Sequence, residues 1–190
     1  MNTATVNGTA ISEGAVRFEY DRLVRFYREH GLADGEIERC RGELEKKALE
    51  QAIGAKLLLD RAMQLDVPVS AADVDAEAAK VVAQVGGREN YLKALAAQGL
   101  TEEAFRREME KGAKVNKLVE RVCSEVPEPE EDEIVAFFEA NRAAWSQGGR
   151  TIVDVHDSIR ELLRHEARGR AMEAFVAELR EKADVRYPGG

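Results

Sequence analysis

The side chains able to do chemistry are few in this sequence. His30, His156 and His165 are the only imidazoles, and Cys40 and Cys123 the only thiols. His156 and His165 are nine positions apart, which on one helix sends them to roughly opposite sides, so they cannot converge on one metal from that helix. Neither cysteine belongs to a C-x-x-C or lies beside a histidine at ligand spacing. Two free thiols are therefore expected, with a disulfide as the alternative. No G-x-x-x-x-G-K-[ST] is present to cradle phosphate, and no G-x-G-x-x-G, H-E-x-x-H or G-x-S-x-G. The acidic run from Glu128 to Glu133 is compatible with a metal site or a patch for basic partners, but a solvated helix start favoured by the macrodipole is the simpler reading. No catalytic residue, cofactor or metal ligand is expected, and an enzyme is the weaker hypothesis.

The elements that would position these groups are mostly helical. Of 190 residues, 44% are hydrophobic, 34% charged and only 6% aromatic, with four prolines, a balance that suits one or two helix-rich domains. The net charge of −8 would repel a polyphosphate backbone, so nucleic acid is not an expected partner. No window reaches the roughly 18 to 20 apolar residues of a membrane span, and no membrane insertion is expected. The first residues have neither a basic nor an apolar leader region. That fits a cytoplasmic chain, or a periplasmic or otherwise extracytoplasmic one whose leader has been removed.

Thr3 to Ile11 alternates around Asn7-Gly8 and predicts a strand or small hairpin. Ser12 caps a helix to about His30, ended by Gly31, with Val16, Tyr20, Leu23 and Tyr27 on one face and Phe18 on the other. A longer helix is predicted from Gly35 to Leu65, with Ile37, Cys40, Leu44, Ala48 and Leu49 in its stripe and Gly54 permitting a close helix crossing. Ser70 with Asp73 opens a helix to Val85, another covers Arg88 to Gln98, and Thr101 caps one running to Ser124. After the acidic joint come a helix over Ile134 to Asn141, the join Trp145-Ser-Gln-Gly-Gly-Arg150, and a helix from Thr151 to about Lys182. Val185 and Tyr187, before Pro188, predict a terminal strand paired near Val6.

Taken in order, Val6-Asn-Gly-Thr-Ala-Ile-Ser12, Leu49 to Leu59, Ala62 to Val69 and Ser70-x-x-Asp73 resemble the N-terminal domain of the SurA, PpiD and PrsA group of parvulin-type folding factors. Leu100 to Met109, Lys117 to Val122 and Glu131 to Trp145 resemble the helices leading into that group's prolyl isomerase domain. Val119 to Pro127 is also similar to the nitrogenase maturation factor NifM. Ile159 to Leu163 and Phe175 to Tyr187 resemble the helix and strand that follow the isomerase. The resemblance implies a mostly α fold: a SurA N-terminal-like helical domain with paired short terminal strands and a long C-terminal helix packing back on the N-terminal helices.

On this reading residues 1–126 form the helical domain, 127–150 are the acidic helix and join where a parvulin domain would sit, and 151–190 complete the fold. Only Gly148-Gly149 occupies the place of the isomerase, so none of its catalytic residues can be assigned here. The implied activity is ATP-independent holding of unfolded or partly folded polypeptide, with apolar patches inside a charged rim. Phe18, Phe26, Tyr91 and Trp145 are the candidate client contacts, each of which could equally belong to the core. A helical dimerisation or interaction module, as a homodimer, and a residual prolyl isomerase are the alternatives.

Overall fold

The computed structural model describes residues 4–187. Thr3 and Pro188, which flank the two predicted terminal strands, lie outside the described residues.

The first element is a two-residue hairpin, β1 (Thr5–Val6) and β2 (Thr9–Ala10). Asn7 and Gly8 turn it with φ of 51° and 77°, the positive pair that a type I′ turn needs and that Asn-Gly tolerates best. The last described element, β3 (Val185–Arg186), pairs antiparallel with β1 and sets Val185 opposite Val6, as the terminal alternation predicts. The sheet order is β2-β1-β3. Asn7 fastens the far end: its N–H donates to the Asp184 carbonyl at 2.8 Å and its Oδ1 accepts from the Asp184 N–H at 3.0 Å.

Nine α-helices join these strands among the described residues: α1 (Glu13–Glu29), α2 (Asp34–Arg39), α3 (Arg41–Gln64), α4 (Ala71–Gln84), α5 (Arg88–Gln98), α6 (Glu102–Ser124), α7 (Glu131–Ala140), α8 (Arg142–Trp145) and α9 (Ile152–Glu181). Their starts are chemically specified. Ser12 Oγ accepts from Ala15 N–H at 3.1 Å, and Thr101 Oγ1 from Ala104 N–H at 3.1 Å. At α4, Ser70 Oγ accepts from the Asp73 N–H at 3.2 Å while the Asp73 carboxylate accepts from the Ser70 N–H at 2.8 Å. This reciprocal box satisfies donors that a helix N-terminus otherwise leaves orphaned. The Thr151 N–H likewise donates to Asp154 at 2.7 Å.

The predicted helix from Gly35 to Leu65 is in fact two. It breaks at Cys40, the last cap of α2 and the first of α3, with ψ near 6°. The break lets Ile37 and Leu44 both enter the cluster formed with Leu23, Val24 and Ala48. Cys40, predicted in the apolar stripe, is instead exposed.

Two compact units are present. The first contains residues 4–118 and 176–187, the second residues 119–175. In the first unit, Ala4, Val6, Ile11, Ala52, Ile53 and Leu57 form a buried cluster joined by Leu179, Ala183 and Val185, so both chain ends share one core with the middle of α3. Val6, Ile11, Ile53 and Leu57 each contribute about 1.5 to 3 kcal/mol by their removal from water. A polar clasp lies beside it: Arg180 Nη1 donates to Glu50 Oε2 at 2.5 Å and the Tyr187 hydroxyl to Glu50 Oε1 at 2.7 Å, while Arg180 also bonds the Tyr187 oxygen. These contacts pack the C-terminal part of α9 back on α3. Gly54 meets Val176 of α9, yet a Cβ built on it would lie 3.5 Å from Val176 Cγ1, an ordinary contact. The crossing does not require a glycine.

In the second unit, Ile134 and Phe138 of α7 bury against Val155 and Ile159 of α9, with Phe137, Trp145, Ile152 and Leu163 around them. Between α8 and α9 a single 3-10 turn, Gln147–Gly149, makes the join, and Gly148 and Gly149 take φ of 73° and 79°. Two consecutive positive φ values explain the diglycine in conformational terms.

Candidate client-binding surface

Helix α1 presents two faces of opposite character. Leu23 is buried and Val16, Tyr20 and Tyr27 are half-buried, all packed in one cluster with Ile37, Leu44 and Ala48. Phe18 and Phe26 point away, 67% and 50% exposed. Eight residues apart, they are separated by about 12 Å along the helix axis. Arg22 stands one turn from each. Both rings lie in one row on the side of α1 that turns away from its core cluster.

The row has a charged border. Arg17 pairs with Asp21 at 3.0 Å and Arg28 with Asp34 at 2.8 Å. Arg22 lies 2.9 Å from a carboxylate oxygen of Glu19, which is only 7% exposed. A buried acid on α1 is not readable from periodicity alone, and its ion pair orients Arg22 between the two rings. Phe26 is steadied from below. Its ring lies 4.0 Å from the His30 ring, and His30 Nδ1 is 2.8 Å from the Phe26 carbonyl at the helix end.

A second concavity lies in the same unit, between the start of α4 and the first half of α6. About 300 Å³ in volume, it has Val69, Ala71 and Val74 at its base and Glu103, Arg106, Arg107 and Glu110 around it. Ion pairs fix its walls: Arg106 to Asp75 at 2.6 Å and Arg107 to Glu103 at 2.8 Å. Two lysines of α6 hold the loop before α4 and the first turn of α4. Lys114 bonds Asp66, a residue with φ of 44°, at 2.8 Å, and Lys117 bonds Asp73 at 3.1 Å. The Lys114 ammonium holds the Asp66 carboxyl below the usual carboxylate range, and Asp66 in turn raises Lys114. The apolar base with paired charges around it can cover an aliphatic or aromatic side chain of an extended segment without stranding a charge.

The other two candidate contacts have different surroundings. Tyr91 is 6% exposed and stacks edge-on with Phe105 at 5.0 Å. It is a core residue of α5, with almost no ring surface to offer a client. Trp145 belongs to the second unit, where it is half-buried and meets Phe137 edge-on at 6.2 Å. Within the first unit, Phe18 and Phe26 share the outer side of α1 and Tyr91 does not.

The acidic joint is engaged rather than merely solvated: Glu128 bonds Arg164 at 2.7 Å, and Glu131 meets His156 at 2.9 Å. Among the described residues no group of three or more His, Cys, Asp or Glu is placed to hold a metal ion. Cys40 and Cys123 are both free thiols. No helix among the described residues is long and apolar enough to cross a membrane.

The sequence model of the SurA-like N-terminal domain matches residues 1–119. No curated protein matches the chain. A solved structure from work on the virulence factor PEB4 and the periplasmic protein Cj1289, two structurally related SurA-like chaperones of Campylobacter jejuni, superimposes with a TM-score of 0.57 over 99% of each chain at 15% identity. At that identity the likeness is one of fold. The family match extends over more than half of the sequence, from the hairpin into α6, and by it the chain belongs to the SurA-like N-terminal domain family.

Proposed function

We propose that this chain is a chaperone that holds unfolded or partly folded polypeptide without nucleotide. The observation that carries the reading is the row of exposed phenylalanines on α1 inside a border of ion pairs. Such a surface gains about 25 cal/mol for each Å² of apolar area that a client covers, while its charged border keeps the free protein soluble. Preferential binding of unfolded chains lowers their free concentration and slows aggregation by mass action alone. The family to which the chain belongs and the likeness to PEB4 and Cj1289, themselves SurA-like chaperones, support the same reading.

Residues 127–150 mark the place where relatives of the parvulin type would carry an isomerase, and this chain acts by binding rather than by catalysis. The periplasmic setting of Cj1289 supports an extracytoplasmic site of action. The test is suppression of aggregation of a chemically denatured client at stoichiometric ratio without ATP, alongside a proline-peptide isomerisation assay. Dose-dependent protection with isomerisation at the spontaneous rate is the expected result. No protection by a chain that is folded by circular dichroism would overturn the holding function, and catalysis above the spontaneous rate would overturn the binding-only reading.

A further inference from the structure

The second unit contains an arrangement that holding a client does not use. His156, near the start of α9, has a side chain only 23% exposed and a carboxylate at each ring nitrogen. Both oxygens of Glu131 lie 2.9 Å from Nε2, and Asp157 Oδ1 lies 3.3 Å from Nδ1. A neutral imidazole has one N–H, so it can donate to one of these carboxylates but must turn a bare lone pair toward the other. Only the imidazolium satisfies both. Arg160 is the opposing charge, with Nη2 3.5 Å from His156 Nε2 and 3.7 Å from Glu131 Oε2. Arg164 completes the face through Glu128 at 2.7 Å and Glu161 at 2.7 Å.

We propose that His156 is a protonation-controlled latch that ties the first turn of α7 to α9 when charged and releases it when neutral. Arg160 and Arg164 stay charged throughout and keep the joint from separating, so the change is a loosening at Glu131 and not unfolding of the unit. The geometry and the electrostatics agree in sign. The Glu131 carboxylate first, then Asp157, raises the His156 pKa against partial burial and Arg160. A histidine whose pKa is raised by folding adds stability that is complete below the unfolded value of about 6.5 and is lost as pH rises through the higher folded value. The two helices that the latch joins share the cluster of Ile134, Phe138, Val155 and Ile159, with Trp145 packed against it.

Trp145 is the single tryptophan of the chain and reports on this cluster without a label. Urea unfolding followed by its emission, from pH 5.5 to 9, tests the latch, and the assay contains no client, so its outcome is separate from that of the aggregation test. The wild-type midpoint should fall as the pH rises above the ordinary histidine value. His156→Gln should remove that slope, while His30→Gln and His165→Gln should keep it. Glu131→Gln should reduce the slope and move it to lower pH. If any variant fails to fold, the ring proton resonances of His156 in the wild-type chain provide the second measurement. Titration above the ordinary histidine value supports the latch. A slope unchanged in His156→Gln, or a ring that titrates at or below that value, overturns it.

Discussion

Replacement of Phe18 and Phe26 by serine tests the client surface, because half or more of each ring is in water. A phenylalanine side chain offers about 200 Å² of surface. At 67% and 50% exposure, about 230 Å² of ring surface in all is available to a client. Full coverage at about 25 cal/mol per Å² would be worth about 6 kcal/mol, and a shallow contact that covers one side of each ring about half of that. The double variant should therefore bind a model unfolded client about 100-fold more weakly. The part of the two rings that the fold already covers, about 170 Å², limits the loss of stability to about 4 kcal/mol, so affinity is compared where urea unfolding shows each variant folded. The assay is fluorescence anisotropy of a labelled, permanently unfolded polypeptide, paired with urea unfolding of each variant. Val153→Ser is the control: its side chain is 83% exposed, but it lies in the other unit. Equal weakening by Val153→Ser, or unchanged affinity in the double variant, would refute the assignment of client contacts to α1.

Three further outcomes follow from the packing. Gly54→Ala should stabilise the chain by about 1 kcal/mol through helix propensity, since its methyl finds Val176 at ordinary contact distance, and should raise Tm by about 2 to 4 °C in calorimetry. A lowered Tm would mean that α3 and the end of α9 pack too closely for the methyl. Ile159→Ala empties a fully buried position in the cluster with Ile134 and Phe138 and should cost about 2 to 5 kcal/mol, read from the urea midpoint of Trp145 emission. Ser70→Ala removes the α4 cap and should cost about 1 kcal/mol. In the wild type, hydrogen bonds from the Ser70 backbone and hydroxyl, then Lys117, depress the Asp73 pKa to about 2. The stability this carboxylate adds is present above the ordinary aspartate value of about 3.9 and is lost as the pH falls through about 2. Acid unfolding of Asp73→Asn should lack that component.

What was legible in the sequence is what short-range chemistry decides. Asn7-Gly8 makes its turn because few other pairs accept two positive φ values; Ser12, Ser70 and Thr101 start helices because their side chains accept from N–H groups three residues on, and at α9 the Asp154 carboxylate reaches back to the Thr151 N–H. The terminal strand pairing was legible too, since the apolar alternation at Val6 and Val185 needed a partner in each other. The break at Cys40 was not, because Arg41 and Gly42 extend a pattern that a single helix could have kept. The break is set by Ile37 and Leu44 seeking the same cluster on α1.

The candidate site divides in the same way. Phe18 lay opposite the apolar stripe of its helix and Tyr91 among apolar neighbours, yet either could have met a second element and joined the core. One is two-thirds exposed and the other buried only because α5 meets Phe105 of α6, whereas nothing among the described residues covers the outer face of α1 at Phe18. His156 and Glu131 are 25 residues apart, and the ion pair of Glu19 sits at a position that periodicity leaves ambiguous. By itself the sequence determined the helical class, the caps, the closure of the two ends and the family resemblance, because each rests on contacts within a few residues or on a pattern that repeats along the chain. Only the tertiary structure decided which aromatic rings remain in water and which histidine is held between two carboxylates, because burial and charge pairing depend on which helix lies opposite.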